Sequence, residues 1–238
     1  MDPLSRPIVL AFDTTTPVQG LALAAGGQLL AEDSIRIASS HTEELLSNLD
    51  RLLRRHRLSG PDLDGLAVVT GPGSFTGIRI GLAAAQGLAD SWSKPLIGLH
   101  ALELLALHPG LPDGPVCTAL PAGRGGVYAA VYRRESGRPS VLQPPRELHA
   151  GDDPDIPAAW PDVMFFGPGA AHLPAGLLAA RPDRVRPMSA PTVAGVLALE
   201  AACILGGGGA PPPRPEAFYI RPPDAKKPTR WRGQPHGR

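Results

Sequence analysis

The stretch GPGSFTGIRIG, residues 71–81, decides how this chain reads. It follows the apolar run GLAVVT and leads into LAAAQGLAD. A strand, a glycine-rich turn and a helix is the arrangement of phosphate-binding loops. Two features count against a phosphate. The P-loop pattern ends in Lys before Ser or Thr, and no Lys stands here. The dinucleotide pattern G-x-G-x-x-G is broken as well: three residues separate Gly73 from Gly77, and Pro72 removes an N–H from the turn. The helix behind the loop offers a second reading. Gly77, Gly81, Ala84 and Ala85 recur at intervals of three or four, which leaves a face almost without side chains. Helical glycine costs about 1 kcal/mol relative to Ala, so Gly77, Gly81 and Gly87 together cost roughly 3 kcal/mol. Close packing must offset that cost, either within the domain or against a second protein.

Outward from this loop the chain alternates strands and helices. Residues 8–12 form an apolar run ending at Asp13, and Gly26-Gly27 between two apolar segments signals a hairpin. Three strands are therefore expected before the first helix, over 41–57, which Ser40 and Glu43 introduce with capping-box spacing. Leu45, Leu46, Leu49, Leu52 and Leu53 line one face of it. Strands over 66–69 and 95–99, the helix over 75–90 and a helix through Leu107 complete the order β-β-β-α-β-α-β-α. A second half opens in the same style, with strands expected over 116–120, 126–132, 139–143 and 163–166 and an apolar helix over 192–205. A duplicated α/β unit with a cleft between its halves follows: one lobe over 1–109, a second over 110–220, and a basic, flexible tail over 221–238.

The chain has 238 residues, enough for one large domain or two small ones. No apolar run is long enough to span a bilayer. The opening MDPLSRPIVLAFD runs straight into patterned sequence, unlike a signal peptide, so a cytoplasmic chain is expected. Cys117 and Cys203 form no C-x-x-C pair and read as buried thiols. The net charge of +1 hides an asymmetry. Arg221, Lys226, Lys227, Arg230, Arg232 and Arg238 face a single acid, Asp224, so the tail carries +5 and the remainder −4. Such a tail suits RNA, with Phe218 and Tyr219 beside it able to stack on bases, although a solvated terminus and simple packing explain the same residues. Ser74 is no nucleophile elbow, because G-x-S-x-G needs Gly where Thr76 stands. The seven histidines show no metal-ligand spacing.

GPGSFTGIRIG followed by GLAAAQGLA resembles the signature of the TsaB (YeaZ) family. ILAFDTTT, HTEELL, KPLIGLHALE, GRGGVYAAVY and PEAFYIR resemble further segments of that family, in order along most of the chain. The resemblance implies an actin/sugar-kinase/Hsp70-like fold: two ribonuclease-H-like lobes, each a mixed sheet flanked by helices. It implies an accessory subunit of tRNA threonylcarbamoyladenosine formation that pairs with the catalytic subunit TsaD, alongside TsaE, and meets tRNA only through that complex. The two helices would supply the contact, to TsaD or to a second copy of the chain, through His41, Leu45, Leu49, Leu52, Phe75, Thr76, Gly77, Ile80, Gly81 and Ala84. ATP, magnesium and any other metal would be held by the partners, and no cofactor by this chain. The positions that align with the metal-binding histidines of TsaD hold Ala101 and Leu105. Kinases of the wider superfamily place an acid at the start of each lobe. Here the first lobe has Asp13, followed by Thr14 and Thr15, whereas the second has Pro121-Ala122-Gly123. A nucleotide-dependent phosphotransferase or ATPase using Asp13, Thr14 and Thr15 is the competing expectation.

Overall fold

The computed structural model describes residues 7–37, 41–152, 155–180, 182–188, 192–209 and 212–221. Its first sheet is built from β1 (Ile8–Asp13), β2 (Val18–Ala25), β3 (Gln28–Arg36), β4 (Gly65–Val69) and β5 (Leu96–Leu99), in the order β3-β2-β1-β4-β5. The second contains β6 (Gly114–Gly123), β7 (Gly126–Glu135), β8 (Arg138–Leu148), β9 (Met164–Gly167) and β10 (Val185–Pro187), in the order β10-β9-β6-β7-β8. The topology is the same in both. The first three strands pair antiparallel, and the fourth lies parallel beside the first. The duplication expected from the strand triplets is therefore real at the level of fold.

Helices α1 (His41–Arg55), α2 (Phe75–Trp92), α3 (Ala101–Ala106), α4 (Ile156–Ala159), α5 (Ala175–Ala180) and α6 (Ala194–Gly206) cover the sheets in alternating layers. Strand β1 shows why. Both of its faces are buried, so it reads as a continuous apolar run. Ile8, Leu10 and Phe12 point to the layer of α1 and α2, and Val9 and Ala11 to the opposite side. On that opposite side α3 and α6 lie between the two sheets and share one core with Tyr128, Ala130 and Tyr132 of β7. The far face of the second sheet packs Val127, Ala129 and Val131 against Ile156 of α4 and Leu177 of α5.

Packing does not follow the sequence division at 109. Helix α6, late in the chain, lies on β1, β2 and β4 of the first sheet, while α3 lies on β6 and β7 of the second. Each helix crosses over to close the other half. Arg134 of β7 helps to hold α3, its guanidinium donating to the carbonyls of Ala106 and His108 at the end of that helix, where a cation suits the dipole. Of the tail expected to begin at 221, Arg221 is fixed, donating to Glu147 of β8 at 3.1 Å. Residues 222–238 lie outside the described residues, as does Ser40 of the expected capping box. Cys117 is buried, and burial pushes its thiol up to about 12. Cys203 is exposed, against expectation, because its place on α6 lies at the outer edge of the layer, 3.5 Å from the Arg138 guanidinium.

Candidate partner-binding helices and the interlobe cleft

The glycine loop is tied down by protein groups. Gly71 sits at φ +118°, a conformation that favours glycine, and its carbonyl accepts from Ala101 N–H at 2.7 Å. Ser74 N–H donates to the Thr15 carbonyl at 2.7 Å, and the Ser74 hydroxyl caps α2 by accepting from Gly77 N–H at 3.1 Å. A methyl group at Gly77 would overlap the Thr14 carbonyl oxygen, and one at Gly81 the Thr14 hydroxyl. Thr14 in turn donates that hydroxyl to the Gly77 carbonyl at 2.7 Å. The glycines let α2 sit directly on the turn that follows β1.

This changes the reading of the helix pair. Five of the ten positions expected to meet a partner face inward. Leu45, Leu49 and Leu52 are 1%, 2% and 0% exposed and pack in the chain's own core with Leu10 and Phe12. Gly77 and Gly81 are buried against Thr14. The physical reason is economy of burial: each leucine gains about 1.5–3 kcal/mol by leaving water, and the sheet lies directly beneath. Thr76 is exposed and Phe75, Ile80 and Ala84 are half-buried, so these four remain open to a partner. The side chain of His41 lies outside the described residues.

The outer surface carries a second stripe that periodicity alone did not single out. Leu46, placed by sequence on the same face as Leu45 and Leu49, is 55% exposed, about 100° round the helix from Leu45. On α2 the exposed residues Thr76, Arg79, Ala83 and Gly87 are spaced three or four apart, with half-buried Ile80 and Ala84 beside them. A methyl group at Gly87 would meet nothing within 4 Å. From Ile80 to Gly87 the surface is thus small-residued and nearly flat, and toward the start of the helix the Arg79 guanidinium lies over the Phe75 ring at 3.8 Å. Its signal in the sequence was the third glycine, which the inner packing leaves unexplained.

Between the lobes lies a cleft of about 580 Å³. Its first-lobe wall is Thr15, Thr16, Pro17, Val18, Arg36, Ser74 and Phe75, and its second-lobe wall includes Pro121, Ala122 and Tyr128. The segment 218–221 crosses its edge. There Phe218 N–H donates to the Thr70 carbonyl at 2.8 Å, the Phe218 ring lies 4.4 Å from that of His100, and Tyr219 lies 4.9 Å from Phe75. Burial holds His100 below the usual histidine range.

Of the three residues expected to hold a nucleotide, only Thr15 lines the cleft. Asp13 is 1% exposed, and its Oδ1 accepts from Thr15 N–H at 2.8 Å and Thr15 hydroxyl at 2.7 Å. Asp13 shapes a turn, and Thr14 is turned away toward α2. Pro121 occupies the equivalent end of β6, with no carboxylate to offer. Ala101 and Leu105 are buried aliphatic side chains of α3. Among the described residues no group of three or more His, Cys, Asp or Glu is placed to hold a metal ion, and no helix is long and apolar enough to cross a membrane.

With this geometry in hand, likeness to known proteins is informative. Residues 35–144, which contain α1, α2 and α3, match the model of the TsaD family, tRNA N6-adenosine threonylcarbamoyltransferase. The chain is 31% identical over 144 residues to the tRNA threonylcarbamoyladenosine biosynthesis protein TsaB of Bacillus subtilis, covering 60% of this chain and 63% of that one. It is 36% identical over 129 residues to TsaB of Escherichia coli, covering 53% of this chain and 55% of that one. Over these stretches the chain is similar in sequence to TsaB proteins. The matched stretches span less than two thirds of both TsaB relatives. The fold likeness reaches further. A Pseudomonas aeruginosa crystal structure, described as an uncharacterized protein with similarity to peptidase YEAZ, superposes with a TM-score of 0.72 at 24% identity. It covers 90% of this chain and 100% of that one.

Proposed function

We propose that this chain is an accessory subunit of tRNA threonylcarbamoyladenosine formation that acts by pairing with TsaD. The observation that carries the proposal is the patch of exposed Ala83, Gly87 and Leu46 with half-buried Ile80 and Ala84, flanked by exposed Thr76 and Arg79. Small residues at such spacing let a second pair of helices approach closely and exclude water over an apolar surface. The stretch related to the TsaD family model includes both helices, so TsaD would offer a like pair in return. Two related helix pairs meeting in this way would bury both stripes in a four-helix contact, and a second copy of the chain could take the same place when TsaD is absent. In this reading ATP, magnesium, TsaE and tRNA are engaged by the complex in the cytoplasm, and the chain performs no chemical step alone. The closed turn at Asp13 and the proline at position 121 support that division of labour over a phosphotransferase.

The test is a binding titration of the full chain with purified TsaD from the same genome. Ala83→Arg should abolish saturable binding at concentrations where the parent saturates, with an unchanged melting temperature, because Ala83 is exposed. Full binding by Ala83→Arg would remove the stripe from the interface. Stoichiometric turnover of ATP or tRNA by the chain alone would overturn the accessory role.

A further inference from the structure

The interlobe cleft has the size and the lining of a small-molecule site, and that lining is unsuited to magnesium and a triphosphate. At about 580 Å³ it falls within the ~300–1,000 Å³ typical of ligand pockets. The chain has eleven aromatic residues of the Phe, Trp and Tyr types. Four of them, Phe75, Tyr128, Phe218 and Tyr219, line this one cleft together with Val18 and Ile220. Such a concentration of rings suits a flat apolar group, which stacks or packs edge-on against them. The charged side chains in the described lining are Arg36 from the first lobe and Arg221 from the crossing segment, and no acid accompanies them there. Arg221 shares its charge with Glu147 at 3.1 Å, whereas Arg36 stands exposed at the edge. The hydroxyls of Thr15, Thr16 and Ser74 lie along the same wall.

We propose that this cleft binds an organic monoanion with a flat apolar body, its charged group toward Arg36 and its body among the four rings. An acidless lining gives a divalent cation no hard oxygen anion to replace its water, which disfavours magnesium-nucleotide. The chain's own tail beyond 221 is a poor occupant, since Lys226, Lys227, Arg230, Arg232 and Arg238 would bring like charge to Arg36. The proposal goes beyond pairing with TsaD and does not rest on it.

The probe is 8-anilinonaphthalene-1-sulfonate, followed by fluorescence on titration into the folded full chain. Saturable one-to-one binding is expected. Arg36→Glu, at an exposed position, should weaken it about tenfold or more, as loss of a charge-assisted contact does. N-phenyl-1-naphthylamine, the same ring body without the sulfonate, should bind the parent about tenfold more weakly and be indifferent to Arg36→Glu. Ala122→Trp, which fills the second-lobe wall, should abolish binding with the fold retained, and should that variant misfold, Arg36→Glu and the neutral dye still decide. Magnesium-ATP should not displace the sulfonate. The proposal fails if the dye does not saturate, if Arg36→Glu leaves its affinity unchanged, if the neutral dye binds equally well, or if magnesium-ATP displaces it at comparable concentration.

Discussion

Helix α2 has two faces made of the same small residues, and they meet opposite surroundings. On the inner face Gly77 and Gly81 touch the backbone and hydroxyl of Thr14, with no room for a methyl group. On the outer face Ala83 and Gly87 are exposed, and Gly87 has open space around it. The same amino acid therefore carries two meanings along one helix. Where a strand turn presses against it, glycine permits a close approach within the chain. Where nothing presses, glycine keeps a surface flat, and its cost in helix stability asks for a partner.

The comparison breaks most easily from the inside. Gly77→Leu should be the most damaging single change in the helix, because the Thr14 carbonyl it would strike belongs to the backbone of the turn between β1 and β2. Overpacking typically costs about 1–3 kcal/mol, and a backbone clash puts this position at or above the top of that range. For a domain of this size about 3 kcal/mol lowers the melting temperature by roughly 6–12 °C. Gly81→Leu should cost less, since the Thr14 hydroxyl can rotate away at the expense of its bond to the Gly77 carbonyl. Thermal denaturation checks both, and a Gly77→Leu chain that melts like the parent would show that the inner face is not close-packed.

On the outer face the same kind of change should leave the fold alone and act on association. Gly87→Trp meets no neighbour within the chain. It should keep the melting temperature within about 2 °C, as surface substitutions usually do. It should also weaken TsaD binding roughly ten- to hundredfold, which is about 1.4–2.8 kcal/mol. Calorimetric titration separates the two effects. Equal damage to stability and binding would merge the two faces into one.

The sequence reached the first of these faces and only part of the second. The element order was legible because the continuous apolar run of β1 and the spacing of Leu45, Leu49 and Leu52 are local signals. The duplicated α/β unit followed from the repeated strand triplet, and its ribonuclease-H-like form from the family resemblance. Direction was not legible. A periodicity says that a face is apolar and does not say whether a sheet or another protein covers it, so the family resemblance places Leu45 and Gly81 toward a partner, and the spacing alone does not separate Leu46 from Leu45. The packing of α6 on the first sheet was equally hidden, because it joins residues 194–206 to residues 8–25 and 65–69. Short elements such as β10, three residues long, carry too few positions for any period to register. Asp13 shows the same ambiguity: an acid at a strand end suits a turn as well as a nucleotide site, and the sequence does not show the bonds from Thr15 that engage it in the turn.

That last point gives a smaller perturbation of the inner side. Asp13→Ala would leave the buried Thr15 N–H and hydroxyl without their acceptor. Unsatisfied buried groups cost about 1–3 kcal/mol each, and rearrangement of the hydroxyl should keep the total near the low end. Asp13→Asn retains a carbonyl oxygen in the Oδ1 position and should recover most of the loss. ATP affinity should be the same in all three chains. If Asp13→Ala melts normally but changes nucleotide binding, the residue serves the cleft and not the turn.

The weakest effect concerns pH and sharpens the contrast without touching packing. His100 lies against Phe218, with Nδ1 3.1 Å from the Thr70 hydroxyl, on the side of the glycine loop opposite α2. Burial lowers its affinity for a proton below the ordinary histidine value of 6.5. His108, packed on Phe166, is lowered for the same reason, with the Arg134 charge adding to it. For both groups the unfolded chain binds protons more readily than the folded one, so stability falls as pH drops through 6.5 and levels off only below the folded values. Both rings are partly exposed, so the loss should be small: a shallow decline in melting temperature between pH 7.5 and 5.5, reduced in His100→Gln. The outer stripe of Leu46, Ile80, Ala83 and Gly87 contains no titratable group. If TsaD affinity falls in parallel with stability over this interval, the two faces are coupled through the loop. If it stays level while the melting temperature declines, they are independent, as the open space around Gly87 implies.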